Sequence, residues 1–396
     1  MHVLVLGEVE HMKIVHLCLA GVYTEGLMYQ ENLLSKYHAR LGYDVTLLCN
    51  QFEYNQGILR TSSDTEYVNE EGVHVIRMQE RVNISNKIVF YQGISECLDI
   101  ISPDVLFIHG SQFWNIREVT RYLRAHVNIT TYVDNHADLF NSATNWLSKN
   151  ILHKIVWRFF VNKIAPYVRV FYGVLPARVS FLTDVYRLPE EKCELLVMGA
   201  DDELVEKAKT NGAKERIRQQ YRIGESDFLI MTGGKIDQWK TQTLLLMQAV
   251  RNIENYSVRL IVFGSVTQEL MDQVEKLADG KKVQYIGWVQ SKDTYDFFEA
   301  ADLVVFPGRH SVMWEQVTGQ GKPMLVKDWP GTHHVDLGGN VRFLRKDSEE
   351  EIREEIARLL NNPAEYMEMK TIAEKKGMQI FSYKKIAERA IKTSGE

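Results

Sequence analysis

The sequence predicts an α/β protein made of two successive doubly wound domains, each a mostly parallel sheet covered by helices. Three observations predict it. The chain opens strand, loop, helix, strand, from Lys13–Leu19 (KIVHLCL) to Asp44–Cys49, and such a unit closes as a right-handed crossover onto a parallel sheet. The same alternation starts afresh at Phe228 with FLIMTGGKIDQWK. Finally, 396 residues at 45% hydrophobic and 25% charged are an ordinary globular composition with length for two or three cores.

The elements follow in order. Lys13–Leu19 reads as a buried strand, Ala20–Gly26 as a loop, and Leu27–Leu41 as a helix with Leu33, Leu34, Tyr37 and Leu41 at apolar positions. Asp44–Cys49 is a second strand. Asn50–Gly72 is polar and without periodicity, so it is expected to be a long loop. Val73–Arg77 reads as a strand, Phe90–Ile101 as a helix, Asp104–His109 and Ile129–Val133 as strands flanking the helix Trp114–His126. Trp146–Ala165 is an amphipathic helix whose only charges, Lys149, Lys154, Arg158 and Lys163, are positive. It is read first as a helix packed on the sheet with a solvated face; a peripheral membrane contact is the alternative. Val168–Tyr172 is a strand and Pro176–Tyr186 a helix with Pro in its first turn. The stretch 195–227, with its Asp201–Glu203 acidic patch, reads as the crossing between domains. In the second half, strands are expected near 228–232, 258–263, 283–286, 302–306, 323–327 and 341–344, and a last helix near Tyr383–Lys392. This gives domains 12–198 and 199–375, with 376–396 crossing back to the first.

The bulk numbers exclude several classes. A net charge of −5 argues against a general nucleic-acid binder. Cys18, Cys49, Cys97 and Cys193 form no C-x-x-C pair, which argues against structural zinc or a disulfide framework and fits a reducing cytoplasm. Sequons such as Asn83-Ile84-Ser85 then carry no meaning. No run of about eighteen apolar residues exists to span a membrane. Met12 reads as the natural start, with 1–11 as a candidate leader. The location expected is cytoplasmic, or peripheral at the inner face of the membrane. No G-x-G-x-x-G follows the first strand, which disfavours a dehydrogenase.

The stretch Phe228–Lys240 carries the chemistry. Gly233 and Gly234 break a buried strand, and Lys235 and Lys240 precede a helix starting near Thr241. Glycines there let backbone approach a ligand, the helix start offers free N–H groups, and two lysines add charge for a diphosphate. An ordinary βα turn with solvated lysines would read the same. Gly234-Lys235-x4-Lys240 resembles the Gly-Arg-x4-Lys signature of the family 4 glycosyltransferases, which have the GT-B fold. Tyr285–Gly308 (YIGWVQSKDTYDFFEAADLVVFPG) resembles that family's next block, and His310–Pro323 with the strand MLVK the one after. The order and spacing of three blocks make the resemblance specific.

The resemblance implies a set of site residues. Lys235 and Lys240 hold the donor diphosphate, the first being Lys where the family more often has Arg. Gly233, Gly234 and Gly264 line the donor loops, and Gly287, Trp288 and Val289 occupy the base-binding loop, where Trp288 either stacks on a base or packs. Glu315 stands near the acid that binds the ribose; counting back from Gly321 and Pro323 puts Gln316 there instead. The family's earlier acid is replaced by Pro307 or Gly308, and His310 and Ser311 are expected to take over its contact. His136, in VDNHADL, matches a histidine beside the donor sugar, against a capping-loop reading of its Asp and Asn neighbours. Gly21 and Gly26 belong to the acceptor-side loop, and His109 could line the same cleft. His333 and His334 are candidate metal ligands without a third partner, and Asp336–Asn340 a further cleft loop.

The implied activity is retaining transfer of a sugar from a UDP- or GDP-linked donor to a glycan, lipid-linked or small-molecule acceptor. No cofactor and no metal are expected, since the chain has no Asp-x-Asp. The alternatives on the same fold are a hydrolysing sugar-nucleotide 2-epimerase and a non-catalytic sugar-nucleotide-binding protein.

Overall fold

Alternate residues of Lys13–Cys18 point to opposite sides of the strand, as its period of two requires, and this sorts the first half of the chain into two layers. Val15 and Leu17 join the large core under the helices Ile94–Ile101, Ile116–Ala125 and Arg158–Ile164. Cys18 joins Val45, Leu47 and Cys49 in a smaller cluster, and His16 meets His38 of the helix Gln30–Arg40. A computed structural model describes residues 11–55, 58–84, 88–139, 141–254 and 257–391. The chain divides into two units, one of 1–25, 30–196 and 387–396, the other of 26–29 and 197–386.

The first unit is built on eight strands: β1 (Lys13–Cys18), β2 (Asp44–Asn50), β3 (Glu66–Val68), β4 (His74–Met78), β5 (Val105–His109), β6 (Thr130–Asn135), β7 (Val168–Gly173) and β8 (Cys193–Leu195). Their order is β8-β7-β6-β5-β1-β2-β4-β3, parallel except for β3 at the edge. The order reverses at β1 and β5, so the loops after these strands flank the switch point.

Three expectations are corrected here. Asn50–Gly72 is not one loop: it holds the antiparallel pair Phe52–Asn55 and Ile58–Thr61, then edge strand β3. Ile58–Thr61 is exposed throughout, so it buries no face and leaves no alternation to read. The helix expected from Phe90 starts at Ile94, because Ile88–Tyr91 pairs with Glu80–Ile84 as a hairpin. The helix expected from Leu27 starts at Gln30. Outside the described residues lie Met1–Glu10 of the candidate leader, Ser85 of the sequon and Lys392 of the last helix.

The helix read as packing one face on the sheet is apolar on two faces. Wide π-type turns run over Ser148–Trp157 before α-helix resumes at Arg158–Ile164. Trp157, Val161 and Ile164 are buried, with Leu152, Val156 and Phe160 packed beside them. Trp146, Leu147, Ile151, Ile155 and Phe159 face outward. None of the described helices is long and apolar enough to cross a membrane.

The second unit has six parallel strands: β9 (Phe228–Gly233), β10 (Val258–Phe263), β11 (Val283–Tyr285), β12 (Leu303–Phe306), β13 (Met324–Lys327) and β14 (Val341–Leu344). Their order is β11-β10-β9-β12-β13-β14, the doubly wound order, with its switch point between β9 and β12. Ile230, Leu260, Val262, Leu303 and Val305 fill a core under the helices Gln242–Asn252 and Glu349–Asn361. The acidic patch at 201–203 is a helix start: Asp201 accepts from Glu203 N and Leu204 N and caps Asp202–Thr210. Helix Tyr383–Ala390 begins in this unit and ends in the first, burying Tyr383, Ile386, Ala387 and Ala390 along one face.

Candidate functional site

At the switch point of the second unit three glycine-bearing loops lie against one another. Gly264, after β10, has φ +126, and a Cβ there would sit 1.9 Å from Gly234 O. Its N–H donates to Gly287 O at 2.7 Å, while Gly234 N–H donates to Phe263 O at 3.1 Å. Only a residue without a side chain allows this approach. Gly264→Ala is therefore expected to destabilise the protein by at least about 2 kcal/mol, read as a lower midpoint in urea unfolding.

The two loops that flank the switch point bring three cations. Lys235 is exposed, with Nζ 3.5 Å from Asp237 Oδ2. Lys240 is half-buried and its Nζ has no hydrogen-bond or ion-pair partner among the described residues. Burial pushes its pKa down; Asp237 opposes this, and Arg309 and Lys235 add to it. Arg309 stacks over the Trp239 ring at 4.5 Å. A cation desolvated beside two others is held at a cost that a bound anion would relieve. The helix Gln242–Asn252 starts directly after them and adds its free N–H groups. Sequence reasoning missed Arg309, whose role depends on β12 lying beside β9. Trp288 is exposed, like Trp239, so it does not pack into its unit's core. Val289 and Ser311 are partly exposed.

Behind this loop, His310 Nε2 and His334 Nε2 each donate to Glu315 Oε1 at 2.7 Å. Glu315 is fully buried, and its Oε2 has no hydrogen-bond partner among the described residues. Burial alone would raise its pKa; the two histidines outweigh it and hold the carboxyl down to about 2. Gln316 is also buried, donating to Thr294 Oγ1 at 2.8 Å. Neither residue proposed for the ribose thus presents an open side chain. His333 and His334 part company, His333 pairing with Asp328 Oδ1 at 2.7 Å. His310, Glu315 and His334 together have the donor chemistry of a divalent-metal site, though hydrogen bonds account for their contacts without one. Asp336–Asn340 closes on itself, with Asp336 Oδ1 accepting from Gly338 N and Gly339 N.

The first unit places its polar groups at the carboxyl ends of β1, β5 and β6. Asp134 is in register with His109, so both side chains share a face. His109 Nδ1 donates to Asp134 Oδ2 at 2.7 Å, His109 Nε2 meets His16 Nδ1 at 2.8 Å, and His16 Nε2 meets His38 Nδ1 at 2.9 Å. His38 Nε2 donates to Ala387 O at 3.0 Å. Both ends of this buried chain are acceptors. Four links need four protons, and three neutral imidazoles bring only three. One histidine is therefore an imidazolium. Burial keeps His16 well below the usual range, helped by His38 and His109, and holds His38 down to about 4. Asp134 stays ionised: burial would raise its pKa, but His109 and His136 pull it far down.

His136 is half-buried, its Nε2 3.3 Å from Asp134 Oδ1. Burial would lower its pKa, and Asp134 more than reverses that. His109, expected to line the acceptor side, is buried between His16 and Asp134. Gly21 and Gly26 are exposed in the loop after β1. His16 and His38 were invisible in sequence as a set, since nothing in their spacing marks them as partners.

Comparisons with known proteins bear on the fold. The fold is similar to that of Anabaena Alr3699/HepE in complex with UDP, at 15% identity and TM-score 0.70, covering 96% of this chain and 98% of that one. It is similar to a glycosyltransferase from Rickettsia africae at 12% identity and TM-score 0.69, covering 97% and 100%. It is also similar to WaaG, a glycosyltransferase involved in lipopolysaccharide biosynthesis, at 13% identity and TM-score 0.65, covering 97% and 100%. At such identities the likeness establishes the GT-B fold of two Rossmann-like domains. No curated protein matches the chain by sequence. Residues 213–376, which hold the glycine loops, the three cations and the Glu315 cluster, match the family model of Glycosyl transferases group 1.

Proposed function

We propose that the protein is a retaining glycosyltransferase of the family 4 type, moving a hexosyl group from a nucleotide sugar to an acceptor hydroxyl in glycan or glycoconjugate biosynthesis. The observation that carries this reading is the convergence of Lys235, Arg309 and the unpartnered, half-buried Lys240 at the β9/β12 switch point. When the bond between the anomeric carbon and the donor phosphate breaks, the leaving diphosphate gains negative charge. Cations fixed in advance stabilise that charge more than the ground state. The acceptor oxygen forms the new bond, and its proton passes to a donor phosphate oxygen, so no protein nucleophile is needed. His136, oriented by Asp134, is the group assigned to the transferred sugar. Exposed Trp288 suits the base.

A thermal-shift panel of UDP, GDP, ADP and TDP with their sugars, with and without EDTA, tests this. UDP comes first, because the Anabaena structure holds it. The matching nucleotide at about a hundred times its Kd is expected to stabilise the fold by about 2.7 kcal/mol, unchanged by EDTA. No shift with any nucleotide would overturn the reading. Loss of the shift in EDTA would overturn metal independence and turn attention to His310, Glu315 and His334. Conversion of the donor sugar with no acceptor present would favour the 2-epimerase.

A further inference from the structure

The helix segment 146–164 has an outer face that nothing in its own unit covers. Its inner face is fully employed by Trp157, Val161 and Ile164 in the core. Outward stand Trp146 (70% exposed), Leu147 (63%), Ile151 (39%), Ile155 (58%) and Phe159 (56%). Four of these recur every fourth residue, so they form a continuous line along the helix, with Trp146 at its head. Single exposed apolar residues are commonplace, but a contiguous line of five large ones marks an interaction surface.

The charges beside the line select the partner. Between Asp138 and Asp184 the chain contains no Asp or Glu. Lys149, Lys154, Arg158 and Lys163 all lie on this helix, and none has an ion-pair partner among the described residues. Lys163 Nζ lies 5.5 Å from the Phe159 ring centroid, and Lys154 Nζ donates to Asn150 Oδ1 at 3.1 Å. An apolar protein partner would match the stripe but leave a one-signed cationic border unanswered. An anionic bilayer matches both: Trp, Leu, Ile and Phe enter the acyl boundary, while lysines extend to the headgroups.

We propose that this face seats the protein on an anionic lipid surface, with the helix lying in the interface plane. The proposal uses only the first unit and does not depend on the nucleotide chemistry of the second, so nucleotide thermal shifts and membrane binding succeed or fail separately.

The test is co-sedimentation of the full chain with vesicles of phosphatidylcholine alone and of phosphatidylcholine mixed with phosphatidylglycerol. Binding is expected only to the anionic vesicles and is expected to fall with added salt. Two double variants at exposed positions, Ile155→Ser with Phe159→Ser and Lys154→Glu with Lys163→Glu, are each expected to weaken it about tenfold or more. An unchanged melting temperature and circular dichroism spectrum identify the loss as one of contact rather than of folding. Absence of binding to anionic vesicles would overturn the proposal, as would equal binding to neutral vesicles. Self-association abolished by the Ile155→Ser and Phe159→Ser variant, without vesicle binding, would instead assign the stripe to a second copy of the chain.

Discussion

Replacing Lys235 and Lys240 together by alanine is expected to lower sugar transfer by about a thousandfold or more, while the fold survives or gains stability. Removing one preorganised donor from a site of developing charge typically lowers turnover by about a hundred- to a thousandfold, and here two cations are lost at once. The stability side has the opposite sign. Lys240 is half-buried, has no partner among the described residues, and its pKa is depressed by burial. Relieving that desolvation costs the folded state nothing. Activity and melting temperature measured on the same preparations separate this from damage to the fold, which would lower both. Transfer at the wild-type rate would remove the two lysines from the diphosphate role. Arg309, left in place on Trp239, sets the residual rate.

Acid is expected to weaken the first unit before the second. His38 is held to about 4 when folded and titrates near 6.5 when unfolded. Its neutral form is the folded one, so its contribution, about 3 kcal/mol, is present above pH 6.5 and lost as pH falls toward 4. His16 shifts the same way. Asp134, with a depressed folded pKa, adds a further loss below the usual carboxylate range. His136 runs against these: its raised folded pKa stabilises below pH 6.5 and that gain is lost as pH rises. In the second unit Glu315 goes from 4.5 to about 2, so its share is lost only between those values. Hydrogen exchange mapped by mass spectrometry from pH 7 to pH 3 is expected to show β1, β5 and β6 opening ahead of β9 and β12. Asp134→Ala should remove the carboxylate that ends the buried histidine chain and destabilise by about 3–5 kcal/mol. A single transition involving both units together, unmoved by Asp134→Ala, would reject the proton count.

What the sequence revealed followed from contiguity. Gly233, Gly234, Lys235 and Lys240 sit on one strand, one turn and one helix start, so their proximity is local and readable. The Arg309–Trp239 stack is not local: it requires β12 to pair with β9, a fact of sheet order. The Glu315 cluster needs His334, nineteen residues further along the chain, and the histidine chain spans β1, the helix Gln30–Arg40 and β5. Each of its members alone reads as an ordinary buried histidine. The strand pairs 52–55 with 58–61 and 80–84 with 88–91 escaped for the opposite reason, since their described residues bury little of their surface. The two apolar faces of 146–164 could not be told apart in the sequence, because a single amphipathic stripe is what the spacing reads as, while the structure buries Trp157, Val161 and Ile164 and leaves Ile151, Ile155 and Phe159 outside.

The position of Ala387 in the first unit bears on how the protein is made. The terminal acceptor of the His38–His16–His109–Asp134 chain is the Ala387 carbonyl, which the ribosome adds only after the whole stretch Val197–Ile386. Domains ordinarily fold in the order of their synthesis. Here the amino-terminal unit emerges first, but the carbonyl that accepts from His38 Nε2 is added only once the second unit has been translated. Completion therefore runs backwards along the chain. A nascent polypeptide arrested before residue 387 is expected to hold a loosened β1–β5 edge that the full-length chain closes.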